Sequence, residues 1–91
     1  MVTITVDGEA ASNLGRREFV LMYLSEKGEE YVYALYNAWR EYAEAVHKPA
    51  GDYASFRSNI YRMKKIEGLI VASRIEESNN KWAKIYYRLA A

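Results

Sequence analysis

An α+β fold is predicted by three observations along this 91-residue chain. Apolar residues recur at helical spacing twice in the first half, a capped basic helix occupies the region 52–67, and a period-two, β-branched and aromatic pattern follows it at once. The expected layout is one domain, with a strand and lead-in over 1–12, a three-helix part over 13–67 and a β-hairpin over 68–91. At this length one modest core buries about 60% of the surface the unfolded chain exposes, which leaves no room for a second domain.

Val2 to Val6 alternates Val, Thr, Ile, Thr, Val, the pattern of a short half-buried strand that is expected to add to the hairpin as a third strand. Asn13 or Ser12 is the expected N-cap of a first helix that carries Phe19, Val20, Tyr23 and Leu24 on one face and stops at Gly28. A second helix is expected from about Glu30 to Lys48, with Tyr31, Leu35, Ala38, Trp39, Tyr42 and Val46 as its buried stripe. At about 18 residues it is long enough for its far end to make a dimer contact. Pro49 and Gly51 end it, and Asp52 has the chemistry of the next N-cap.

In the third helix, Phe56, Ile60, Met63 and Ile66 are expected to form the apolar arc, and Gly68 closes the helix. Ala54, Ser55, Arg57, Ser58, Tyr61, Arg62 and Lys65 fall on the opposite arc. Strands are expected at Leu69 to Ile75 and Lys81 to Leu89, with a loop in which Asn79 and Asn80 tolerate positive φ.

The net charge of +1 conceals an asymmetry. Residues 1–47 hold four basic and eight acidic side chains, −4, whereas residues 48–91 hold nine basic and four acidic, +5. One basic face on an otherwise acidic body follows, and it falls in the half that carries the third helix and the hairpin. Small residues on that helix (Ala54, Ser55, Ser58) permit close approach to a groove floor, while Arg57 and Arg62 can reach base edges or phosphates and Lys65 can meet the backbone. An ordinary solvated face is the plainer reading of the same cations, but it leaves the bias of the whole C-terminal half unexplained.

Catalytic and metal chemistry find no foothold in the pattern. The five glycines occur singly, there is no cysteine, and the one histidine, His47, has no second metal-binding partner and sits at a helix end. No enzyme activity, cofactor or metal is expected. The longest apolar runs, 19–24 and 31–36, are far shorter than a membrane span, and MVTITVDGE lacks the basic start of a signal peptide, so a cytoplasmic protein is expected.

The succession of two helices, a short turn, the basic helix SFRSNIYRMKKIEGLI and a hairpin resembles a winged helix-turn-helix domain over about residues 14–89. The resemblance implies that the third helix enters the major groove of double-stranded DNA and that the hairpin is the wing. Short, Tyr-rich archaeal winged-helix regulators from plasmids and viruses, and plasmid-partition adaptors, are similar. Glu76 and Glu77 depart from the pattern because they repel phosphate, which shifts the expected wing contacts to Arg74, Lys81 and Lys84. A homodimeric transcriptional regulator is the expected function. A DNA-coating partition adaptor that bridges to a protein through the acidic N-terminal half, or a winged-helix protein–protein interaction module, are the alternatives.

Overall fold

The computed structural model describes residues 5–6, 9–10, 14–77 and 83–90. Among them the order is β1 (Thr5–Val6), β2 (Glu9–Ala10), α1 (Arg16–Lys27), β3 (Glu30–Tyr31), α2 (Val32–Ala45), α3 (Tyr53–Lys65), β4 (Ile70–Glu76) and β5 (Lys84–Leu89). Three helices pack on a three-stranded antiparallel sheet of order β3-β5-β4, so the fold is α+β as expected.

The third strand of that sheet is β3 and not Thr5–Val6; Val2, Thr3 and Ile4 of the expected N-terminal strand lie outside the described residues. Thr5–Val6 pairs instead with Glu9–Ala10 as a separate ribbon, and β3 takes the place beside β5, with Glu30 opposite Tyr87 and Tyr31 opposite Tyr86. Tyr31 is therefore a half-buried strand residue and the N-cap of α2, not part of its core stripe. Hydrogen bonding to β5 wins over the helical periodicity that Tyr31 shares with Leu35.

α2 is correspondingly shorter than expected, at 14 residues. Its end is set by His47, whose φ of 58° lies in the left-handed region. The His47 N–H donates to the Glu44 carbonyl (3.2 Å) and the Lys48 N–H to that of Ala43 (2.9 Å), a Schellman pattern that halts the helix before Pro49. α1 starts after Gly15, not at the expected cap; Glu18 accepts from the Gly15 N–H at 3.1 Å. Asn13 and Ser12 lie outside the described residues. Gly28 ends α1 with φ 91°, as its position predicts.

The core lies where the three helices meet the sheet. Phe19 and Leu24 of α1, Leu35 and Trp39 of α2, Phe56, Ile60 and Met63 of α3, and Ile70 of β4 are all at most 3% exposed. Phe19 sits at the centre, its ring 5.7 Å from that of Trp39 and 5.1 Å from that of Tyr42. Ile66 lies one residue past α3 and is 72% exposed, so it does not extend the apolar arc.

The turn between α2 and α3 fixes how α3 projects. Trp39 Nε1 donates to the Ala50 carbonyl (2.8 Å), the Tyr36 hydroxyl to that of Gly51 (2.9 Å), and Arg16 reaches both Ala50 O (3.2 Å) and Ser55 Oγ (2.7 Å). Gly51 has φ 79°, a conformation that favours glycine, and a Cβ there would displace the Arg16 guanidinium from its place against the turn. Asp52 caps α3 by accepting from the Ser55 N–H at 2.7 Å, as expected.

Candidate nucleic-acid interface

α3 contains four cations, Arg57, Arg62, Lys64 and Lys65, and no acidic residue. Burying Phe56, Ile60 and Met63 inward turns Ala54, Ser55, Arg57, Ser58, Tyr61, Arg62 and Lys65 outward, and every one of these seven expected contact residues is exposed. Tyr61 is 60% exposed. None of the four cations forms an ion pair among the described residues. Ser55 is partly committed, since its hydroxyl accepts from Arg16.

The hairpin residues meet different fates. Arg74 is exposed but paired within the protein. A register shift between Ala72 and Arg74 turns this stretch of β4 toward Glu29, which accepts from the Ser73 hydroxyl and from Arg74 Nε, both at 2.6 Å. Arg74 also reaches Glu76 at 3.2 Å and stacks 3.8 Å from the centroid of the Tyr86 ring. The bonds from Ser73 and Arg74 hold the Glu29 carboxyl below the usual carboxylate range, and the bonds to Glu29 and Glu76 raise the Arg74 pKa further. Arg74 thus closes the hairpin onto the α1–β3 turn, a role set by an acid 45 residues away. Lys84 keeps its exposed position, with its amine 4.8 Å from the Tyr31 ring centroid. Lys81 lies outside the described residues.

Beside the α3 face runs a groove of about 1220 Å³, between α3, the β3–α2 junction and β5. Tyr31, Tyr33, Tyr53, Tyr61 and Tyr87 line it together with Arg57, Lys64 and Lys84, and no acidic residue is among its walls in the described chain. Lys64, which the sequence reading passed over, holds its amine 5.5 Å from the Tyr87 ring centroid. The helical wheel hides it: four residues after Ile60, it falls only about 40° from the buried direction, and it is half-buried. Tyr33, also unassigned by sequence, is 53% exposed and packs edge-on against Tyr53 at 5.6 Å.

Two other basic side chains tie separate parts of the fold together. Arg17 meets Glu67 at 3.2 Å, linking α1 to the turn after α3, and Lys48 Nζ donates to the Leu14 carbonyl at 2.8 Å. No group of three or more metal-binding side chains exists among the described residues, and none of their helices is long and apolar enough to cross a membrane. Comparison with family models, with curated proteins and with solved structures returned no match.

Proposed function

We propose that the chain is a sequence-selective double-stranded-DNA-binding protein with a winged helix-turn-helix arrangement, acting as a transcriptional regulator. In this reading α3 is the recognition helix and the β4–β5 hairpin the wing. The observation that carries it is the outward face of α3: seven small, hydroxyl or cationic side chains exposed on a helix with no acidic residue, braced from behind by the stitched α2–α3 turn.

The roles divide by length and charge. Ala54 and Ser58 let the helix approach the groove floor, Arg57 and Arg62 read base edges or clasp phosphates, and Lys65 at the C-terminal end meets the backbone. On the wing side Lys84 is the freer contact, since Arg74 also pairs with Glu29. One such module buries only about 600–1,000 Å², so tight specific binding calls for two copies on a two-fold site, with half-sites about one helical turn apart.

Titrating labelled duplex at about 50–200 mM salt tests the reading. About four phosphate contacts per module give a slope of log K against log salt of roughly −4. No binding at about 50 mM salt, or an affinity indifferent to salt, rejects it.

A further inference from the structure

We propose that the tyrosine-lined groove beside α3 is a second nucleic-acid site, one that takes unpaired nucleotides of a single strand. The proposal stands on the groove's own chemistry and does not depend on the duplex reading. Binding of single strands without sequence readout needs aromatic faces for bases and cations along the backbone path. Here both kinds of group are present and interleaved: Tyr33 and Tyr61 are more than half exposed at the rim, while Arg57, Lys64 and Lys84 stand along the walls.

Charge complementarity restricts the occupant. A chain with 12 acidic residues places none of those described on this groove, so an anion is favoured. Lys64 and Lys84 are held over the rings of Tyr87 and Tyr31, which positions their charge before any ligand arrives. Size separates a strand from a small effector: about 1220 Å³ exceeds the ~300–1,000 Å³ of ordinary small-molecule sites. The exposure of Arg57, Ser58, Tyr61, Lys84 and Ile85 leaves the groove open for a polymer to enter and leave. Because Arg57 and Tyr61 belong to this groove and to the outer face of α3, a single strand and a duplex compete for the protein.

The test uses the full chain and a fluorescein-labelled oligothymidylate of about 12 nucleotides, read by anisotropy at about 50 mM salt. Tyr33→Ala and Lys64→Gln lie outside the duplex contact set; each is expected to raise the Kd for the oligonucleotide about tenfold and to change duplex affinity less than about threefold. Tyr33→Phe, which keeps the ring, restores binding, and unchanged melting temperatures show that the variants are folded. No oligonucleotide binding by the wild type overturns the proposal, as does binding indifferent to both substitutions. Thymidine 5′-monophosphate binding as tightly as the oligonucleotide also overturns it, in favour of a small-ligand pocket. Loss of duplex binding with oligonucleotide binding intact rejects only the duplex reading.

Discussion

Trp39 in α2 donates its indole N–H to the carbonyl of Ala50 at 2.8 Å, so the turn that launches α3 is anchored by a side chain that is itself 3% exposed. The same carbonyl accepts from Arg16 at 3.2 Å, and Arg16 goes on to Ser55 in the first turn of α3. Core, turn and outward face are therefore one connected structure. Replacing Trp39 by Phe removes the donor and part of the ring while leaving Ala50 its Arg16 bond. A loss of about 2 kcal/mol is expected, read from the urea midpoint at constant m-value.

His47 offers the opposite sign. It occupies φ 58° at the end of α2, a conformation that costs most side chains about 1 kcal/mol and glycine nothing. Its backbone supplies one of the two bonds of the Schellman closure, and its side chain is exposed. His47→Gly is therefore expected to raise stability by about 0.5–1 kcal/mol, visible as a higher melting temperature at unchanged helix content. A decrease would mean that the imidazole makes a contact the backbone geometry does not need.

How much of this was legible in the sequence follows the range of the interactions. Asp52 as a cap, Gly28 as a stop, and the Phe56, Ile60, Met63 stripe depend on neighbours within a turn, and periodicity alone exposes them. The outward direction of Arg57, Ser58, Tyr61 and Arg62 follows from the same stripe. What was misread depends on distant partners. Glu30 and Tyr31 look like a helix start until Tyr86 and Tyr87 pair with them, and Thr5–Val6 looks like part of the spare strand only while that pairing is unseen. Nor does anything local announce that Arg74 pairs with Glu29. The groove was invisible because its tyrosines come from four separate elements.

Duplex binding should fall on the two arginines unequally. Arg57 borders the groove as well as the outer face, whereas Arg62 lies on the outer face alone. For an arginine that makes a bidentate base contact, replacement by Ala costs about 1–3 kcal/mol and relaxes sequence preference at one position; for one on phosphate, affinity falls evenly across sequences and the salt slope drops by about 1. Binding-site selection with each variant distinguishes the two roles. Arg57→Ala alone is expected to weaken single-strand binding too.

The Glu29 clamp gives the fold a pH dependence whose sign is set by its bonds. Ser73 first, then Arg74, hydrogen-bond the carboxylate and lower its pKa in the folded chain relative to the usual value of 4.5. A depressed folded-state pKa means that the unfolded chain binds the proton more readily, so this stabilisation is complete above about pH 5 and drains away as pH falls through 4.5 toward the lower folded value. Glu29→Gln keeps the size and one acceptor but has no proton to take up. Melting temperatures from pH 7 to about pH 3 should therefore fall more steeply for the wild type than for the variant, with the two curves converging in acid. Parallel curves would show that the clamp contributes no proton linkage.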